Sequence, residues 1–422
     1  MSVSVIQLFW VFLRIGVLSF GGPAAQIALM HRFLVDENKW LTEKQFLNAL
    51  SFCMLLPGPE AMQLATYAGW RLQGVAGGLI AGLLFVLPGA AVIFVLATLY
   101  VTYGDVPLVD TLFLGVQAVA VVIVIEALLK LSRRALIGAA HWALAGLAFV
   151  GIFFFDVPFP LIVLAAGLYG AFALVSSDAP EAMPVVTVSL GRTLITVLIG
   201  LAIWGVPVLI LDVVFGGAIL TAIGLFFSKL AVVTFGGAYA VLAYMAQDVV
   251  VEFGWLTPTE MMDGLGLAET TPGPLILVTQ FVGYLAAFRE GGYALAFAGG
   301  LVTLWVTFVP CFLWIFAGAP YLDWISAQPR LNAALKAITA AVVGVILNLS
   351  LWFALHVVFG TVTETRIGAL RLWWPAPDTV SLQALVLIGL SAVLLLKMRL
   401  PIGWALLICA GAAVGFHLVP AL

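Results

Sequence analysis

The chain has 422 residues, of which 64% are apolar and 9% are charged, and its formal net charge is −3. A soluble domain carries about a quarter charged residues, so the composition excludes a water-soluble protein. The small net charge of mixed sign excludes nucleic acid as a partner.

Apolar runs long enough to cross about 30 Å of hydrocarbon recur along the whole chain. Backbone groups in lipid need hydrogen-bond partners within their own element, so these runs predict helices. The clearest runs are 74–100, 108–129, 138–155, 333–359 and 402–420. We therefore expect an all-α polytopic membrane protein surrounded by the lipid bilayer. Residues 1–20 lack a basic leader and a small-residue cleavage site, which predicts a retained first helix.

Little in the sequence points to catalysis. Cys53, Cys311 and Cys409 lie far apart in apolar segments without metal-ligand spacing, so we expect them in the packed interior. The polar segments 176–189 and 361–379 are too short for a catalytic domain outside the membrane. With no His-Glu-x-x-His motif and no phosphate-binding loop, we expect no enzyme activity, metal, cofactor or ATP drive.

Helix-breaking residues interrupt two apolar segments near the N-terminus. Proline removes a backbone donor and clashes with the preceding turn, and glycine adopts conformations closed to other residues. Non-helical backbone at membrane depth is tolerated only where it is buried in protein or lines a wet cavity. The breaks are Phe20-Gly21-Gly22-Pro23 and Leu56-Pro57-Gly58-Pro59-Glu60.

Both breaks recur 215 residues later, which indicates an internal duplication. The recurring motifs are Phe20-Gly21-Gly22 with Phe235-Gly236-Gly237, Trp40-Leu41-Thr42 with Trp255-Leu256-Thr257, and Pro57-Gly58-Pro59 with Pro272-Gly273-Pro274. The duplication predicts a first repeat at 1–135, connecting transmembrane helices at 136–212 and a second repeat at 213–360. An extra loop and C-terminal transmembrane helices follow at 361–422.

Basic residues near the helix ends predict that the two repeats are inverted in the membrane. Lys130, Arg133 and Arg134 put the end of the first repeat in the cytoplasm. The corresponding end of the second repeat, at 359–365, has no immediate basic residue and is expected outside. Two homologous inverted repeats with broken helices are typical of carriers that build two gates around one site.

The breaks and two cations within apolar runs together predict an anion site. A helix that restarts after a break presents free N–H groups and a partial positive charge. We expect four such starts, near Ala24, Glu60, Ala238 and Leu275. Arg14 falls on Lys229 at the same offset of 215, and charges at membrane depth are costly and usually functional. Kinks that bind nothing, and an Arg14 side chain that reaches the interface, stay open as alternatives.

Polar residues beside the breaks complete the candidate site. Gln63, Gln280 and Thr271 could donate hydrogen bonds to an oxyanion, and Glu60 could accept a proton. The full set of candidate substrate-binding residues is Arg14, Gly21, Gly22, Pro57, Gly58, Pro59, Glu60, Gln63, Lys229, Gly236, Gly237, Thr271, Pro272, Gly273, Pro274 and Gln280.

These motifs resemble those of the chromate transporter family. Segments 20–30 and 55–67, with Gly69-Trp70-Arg71, are similar to the signature of the family's first half, and segments 235–239 and 271–274 to that of the second. The resemblance implies a multi-pass carrier of the bacterial inner membrane that exports chromate and confers chromate resistance. It further implies that the proton gradient drives export, and it is compatible with a homodimer.

Other functions fit the same residues. Sulfate is a tetrahedral dianion like chromate, so a carrier of sulfate or another oxyanion, including an importer, suits the same charges. An anion channel whose breaks form a filter is a further alternative. Uphill accumulation distinguishes a carrier from a channel, and chromate and sulfate fluxes distinguish the substrates.

Overall fold

The computed structural model describes residues 3–104, 106–175, 189–215, 218–235 and 238–418. Helices dominate this part of the chain, as the apolar runs predict. The helices are α1 Val5–Leu18, α2 Gly22–His31, α3 Glu43–Cys53, α4 Glu60–Tyr103, α5 Pro107–Ala135, α6 Ala139–Phe155, α7 Phe159–Ala173, α8 Leu190–Phe215, α9 Ile219–Val233, α10 Ala238–Gln247, α11 Pro258–Thr270, α12 Val278–Gly318, α13 Leu322–Ser326, α14 Pro329–Val358, α15 Leu382–Ala392 and α16 Ile402–Leu418.

The protein is a multi-pass membrane protein. Within the described residues, five helical stretches are long and apolar enough to cross a bilayer. They are Glu60–Tyr103, Pro107–Ala135, Leu190–Val214, Leu275–Ser326 and Pro329–Val358. The predicted runs 74–100, 108–129 and 333–359 fall on three of these stretches, and 138–155 falls on the shorter helix α6. The predicted run 402–420 falls on α16 as far as residue 418, and residues 419 and 420 lie outside the described residues.

The two longest helices each fold back on themselves. The chain leaves the helical conformation at Gly74 in α4 and at Gly292 in α12, where φ is 62° and 69°. A Cβ atom on Gly69 would lie 2.2 Å from the carbonyl oxygen of Gly77, although eight residues of straight helix would span about 12 Å. Each of α4 and α12 is therefore a short half followed by a long half, and the predicted run 74–100 is the long half of α4.

Four pairs of consecutive helices are joined by one kind of turn. In each turn a residue adopts the left-handed conformation, and the next residue donates its N–H to the carbonyl six residues before it. The left-handed residues are Lys39, Asp156, Gly254 and Arg399. Thr42 and Thr257 then start α3 and α11 through reciprocal capping bonds with Gln45 and Glu260. The repeated Trp-Leu-Thr motif therefore forms a turn and a helix start.

The polar segment 361–379, for which the sequence predicts a loop, contains a β-hairpin. Strand β1, Val362–Ile367, pairs antiparallel with β2, Leu370–Pro375. Gly368, with φ of 60°, lies in the turn between them. Thr, Val, Ile and Trp residues favour an extended backbone, and the cross-strand pairs fix the register of the strands.

The chain forms two compact units, each assembled from three separate segments. The first unit comprises Met1–Ala97, Ala171–Ala238 and Thr271–Leu335. The second unit comprises Thr98–Gly170, Tyr239–Thr270 and Lys336–Leu422. Each unit takes segments from both repeats, so the units divide the chain differently from the four predicted segments.

Each unit has its own helix packing. In the first, α12 packs against α8 and α9. In the second, α5 packs against α11, α15 and α16, and Ala118, Val122, Leu387 and Cys409 lie in the buried core. All three cysteines are buried and free, as expected for residues that fill the packed interior.

Candidate functional site

The Pro-Gly-Pro turn of each repeat is bonded to the chain just before the Phe-Gly-Gly break of the other repeat. The Gly58 N–H donates to the Thr234 carbonyl and the Gly273 N–H donates to the Ser19 carbonyl, each with an N···O distance of 2.9 Å. The two donors are 215 residues apart, and so are the two acceptors. Gly58 and Gly273 have φ of 116° and 89°, which side chains disfavour. The first unit thus brings the breaks of the two repeats together in matched pairs.

Ser19 and Thr234 lie just beyond the helices that carry the predicted cations. Ser19 Oγ donates to the Ile15 carbonyl at 2.6 Å, and Thr234 Oγ1 donates to the Leu230 carbonyl at 2.5 Å. Both residues are buried. Their side chains bond back into α1 and α9, while their own carbonyls accept the turn N–H groups. The sequence analysis missed this pair, although the offset of 215 residues was the signal for it.

Helices begin after the breaks close to where the sequence predicts. Helix α2 starts at Gly22, with Gly21 before it at φ of 86°, and α4 starts at Glu60 directly after Pro59. Helix α10 starts at Ala238, and a 3₁₀ turn over Leu275–Leu277 precedes α12. Gly236 and Gly237 lie outside the described residues.

The Pro-Gly-Pro turn of the second repeat is more enclosed than that of the first repeat. Gly58 and Pro59 are buried, whereas Pro57 and Glu60 keep part of their surface exposed. At the turn of the second repeat every predicted residue is buried: Thr271, Pro272, Gly273, Pro274 and Gln280. An acidic residue in the first turn is stabilised by the helix dipole, so Glu60 has a structural role at the start of α4. The proton-accepting role of Glu60 stays a prediction.

Three buried glutamines donate side-chain hydrogen bonds to backbone carbonyls, two of which belong to the Pro-Gly-Pro turns. Gln26 Nε2 donates to the Gly273 carbonyl at 2.6 Å and Gln63 Nε2 donates to the Pro57 carbonyl at 2.6 Å. Gln280 Nε2 donates to the Ala90 carbonyl in α4 at 3.0 Å. Each Oε1 atom is buried without a donor among the described residues. These atoms are acceptors for a water or for the hydroxyl of a protonated oxyanion.

Each Pro-Gly-Pro turn also packs against the long half of the other repeat's folded helix. A Cβ atom on Gly89 of α4 would lie 2.0 Å from the Pro272 carbonyl oxygen. A Cβ atom on Gly58 would lie 2.9 Å from Cys311 Sγ of α12. Only glycine permits these approaches, so the small residues set the spacing between turn and helix.

The two predicted cations occupy equivalent places on α1 and α9. Both the Arg14 and the Lys229 side chains are exposed on the first unit. Each lies within five residues of the carbonyl that accepts a turn N–H, Ser19 or Thr234. An anion held by these cations would therefore be reached from the surface of the unit and not from a sealed core.

Comparison with known proteins relates this arrangement to one family. The model of the family described as "Chromate transporter" matches residues 6–171 and 221–416, which is consistent with two repeats. The chain is 34% identical over 346 residues to a chromate transport protein of Pseudomonas aeruginosa, covering 81% of this chain and 79% of the relative. It is 30% identical over 345 residues to a probable chromate transport protein of Synechococcus elongatus, covering 82% and 83%.

A shorter relative matches one part of the chain. The uncharacterized transporter YwrA of Bacillus subtilis is 30% identical over 173 residues, which is 40% of this chain and 97% of that protein. No solved structure gives a significant match. Because the family model spans both repeats and the breaks they share, the chain belongs to the chromate transporter family.

Proposed function

We propose that the chain exports chromate across the bacterial inner membrane in exchange for protons and thereby confers chromate resistance. The observation that carries the proposal is the reciprocal bonding of the two breaks, Gly58 to Thr234 and Gly273 to Ser19. Backbone of this kind at membrane depth is tolerated where it is buried or lines a cavity. Paired breaks from two repeats are the arrangement in which carriers hold a solute.

The charges around the breaks favour an oxyanion as that solute. Helix starts at Gly22 and Glu60 present N–H groups, and helix N-termini attract anions. Arg14 and Lys229 add one cation from each repeat. The relatives named as chromate transport proteins support chromate as the particular oxyanion.

Transport in inside-out membrane vesicles tests the proposal. Vesicles that contain the protein should accumulate radiolabelled chromate when their lumen is acidified, and a protonophore should abolish the accumulation. Competition by unlabelled sulfate, a tetrahedral dianion like chromate, measures how far the site distinguishes the two anions. Accumulation of sulfate in preference to chromate would favour the sulfate carrier, and flux that only runs downhill would favour a channel.

Substitution of the two cations should lower transport more than it lowers protein level. Arg14→Ala and Lys229→Ala each remove one attraction for the anion, and a loss of about 1.4 kcal/mol in binding corresponds to about a tenfold rise in the half-saturating chromate concentration. Initial chromate uptake, normalised to the amount of protein in the membrane, measures the effect.

Arg32→Ala is the matched control for these substitutions. Arg32 is an exposed cation of the first unit, 68% exposed and paired with Glu37 at 2.7 Å, and it should leave the half-saturating concentration unchanged. If Arg14→Ala and Lys229→Ala behave like Arg32→Ala, neither cation belongs to the substrate site.

A further inference from the structure

Helix α11 carries two buried carboxyl groups that the substrate site does not use. Asp263 is 3% exposed and Glu269 is 4% exposed. Leu265 and Ala268, also buried, lie between them on the helix. Burying a carboxylate in apolar surroundings is costly unless it is paired or hydrogen-bonded. Ionisable residues of this kind in membrane proteins are candidates for function.

Both carboxylate oxygens of Asp263 accept a hydrogen bond. The Tyr100 hydroxyl donates to Oδ2 at 2.8 Å, and Gln117 Nε2 donates to Oδ1 at 2.8 Å. Each carboxylate oxygen therefore has its own neutral donor, and the donors come from α4 and α5. Burial raises the pKa of Asp263, and the two hydrogen bonds lower it. The same two bonds fix α11 against α4 and α5, so Asp263 has a structural role.

One carboxylate oxygen of Glu269 accepts a hydrogen bond, and the other accepts none from the described residues. The Tyr239 hydroxyl of α10 donates to Oε1 at 2.7 Å. Among the described residues, Oε2 accepts no hydrogen bond and no cation lies within ion-pair distance of the carboxyl. A proton on Oε2 would remove the buried charge without displacing any hydrogen bond, which distinguishes Glu269 from Asp263.

The charges nearest to Glu269 belong to α5. Glu126 and Lys130 influence it, but Lys130 is 72% exposed and bonded to Glu126 at 2.5 Å. Glu126 opposes ionisation of Glu269, and Lys130 is already paired. From α10 the titratable group bonded to Glu269 is Tyr239. Helix α16 also packs against α11, and its titratable group among the described side chains is the Cys409 thiol. The surroundings therefore favour a proton on Glu269 and allow its release.

Glu269 is close along the chain to the second Pro-Gly-Pro turn. Three residues separate it from Gly273, whose N–H bonds to Ser19. Between them lie Thr271, which is buried, and Pro272, which packs against Gly89. Glu269 therefore lies on the segment of chain that leads directly into the second Pro-Gly-Pro turn.

We infer that Glu269 is the carboxyl group that binds and releases the transported proton, and that Tyr239 positions it. This inference rests on the proposed function. In the cycle, a hydronium ion on one side gives its proton to Oε2, which forms an O–H bond and leaves water. On the other side that O–H bond breaks and the proton returns to water, leaving the carboxylate bonded to Tyr239.

Two transport modes of the purified protein in liposomes test the inference. Glu269→Gln keeps the shape of the protonated side chain but cannot release a proton. It should abolish chromate accumulation driven by a pH gradient, while retaining at least half of the exchange of internal chromate for labelled external chromate, which needs no net proton movement. Asp263→Asn is the matched control on the same helix and should keep both modes.

The outcomes separate the inference from the proposed function. If Glu269→Gln keeps gradient-driven accumulation, or if it loses exchange together with accumulation, Glu269 is not the proton carrier. If the unaltered protein exchanges no chromate, the proposed function fails, and the inference fails with it.

The pH dependence of transport gives an independent measurement. Tyr239→Phe removes the donor that stabilises the carboxylate, so the carboxyl should keep its proton to a higher pH. The pH of half-maximal gradient-driven transport should rise by about one unit, the size expected for loss of one hydrogen bond to a charged group. Tyr100→Phe, which removes the equivalent donor from Asp263, should leave that pH unchanged, and equal shifts in both variants would overturn the assignment.

Discussion

Arg371→Ala is expected to destabilise the second unit by about 2–3 kcal/mol, through the loss of hydrogen bonds to a charged group and of the packing of a buried side chain. The Arg371 side chain is 3% exposed, and Nη1 donates to Asp156 Oδ1 at 2.6 Å. Nη2 donates to the Ile152 carbonyl at 2.6 Å, and the guanidinium lies 5.4 Å from the centre of the Trp373 ring. The substitution removes the buried cation from Asp156, which keeps its bonds to Arg366 and Gln247, and it removes the donor from the Ile152 carbonyl. It also releases β2 from the end of α6.

The matched control is Arg366→Ala on the neighbouring strand. Arg366 also bonds to Asp156, at 2.9 Å, but its side chain is 56% exposed, and exposed ion pairs contribute little to stability. Thermal unfolding of the purified protein in detergent measures both. A melting temperature for Arg371→Ala no lower than that for Arg366→Ala would show that the hairpin is not held by the buried arginine.

Gly89→Ala is expected to lower chromate transport by more than tenfold and to destabilise the first unit by about 1–3 kcal/mol, the usual cost of overpacking. The added Cβ atom would lie 2.0 Å from the Pro272 carbonyl oxygen and 2.6 Å from Leu277 Cδ1. Backbone cannot yield as a flexible side chain does, so either α4 or the turn must move. Movement of the turn strains the bond from Gly273 to Ser19.

Gly205→Ala is the control for this substitution. Gly205 lies within α8 of the same unit, and a Cβ atom there would meet nothing within 4 Å. Alanine favours a helix over glycine, so this variant should be at least as stable as the unaltered protein. Chromate uptake and melting temperature are measured for both, and equal uptake in the two variants would contradict the role given to the Gly89 contact.

The sequence predicted the positions of the helix starts well because the causes are local. Proline and glycine act on the backbone within one turn, so the breaks at Gly22 and Glu60 appear where the motifs stand. The duplication is confirmed by the family match to both halves of the chain. The inversion of the repeats and the substrate-binding roles of Arg14 and Lys229 stay predictions.

Contacts between distant residues could not be predicted from the sequence. Small residues let membrane helices pack closely, but the sequence does not show which residues the glycines of the long helices contact. Gln63 was predicted to contact an oxyanion, and in the structure its amide supports the Pro57 carbonyl. The role of Asp263 could not be predicted, because its hydrogen-bond donors are far from it in the chain and neither donor belongs to a motif.

The reciprocal bonds between the two repeats have a consequence for biogenesis. While only the first repeat has left the ribosome, the Gly58 N–H and the Ser19 carbonyl lack their partners, Thr234 and Gly273. Unsatisfied backbone groups in hydrocarbon cost several kcal/mol each. At a synthesis rate of about 5–20 residues per second, the first repeat waits roughly 10–40 seconds for those partners. Nascent chains that contain the first repeat but not yet the second should therefore be the species most exposed to membrane proteases and most dependent on insertion chaperones.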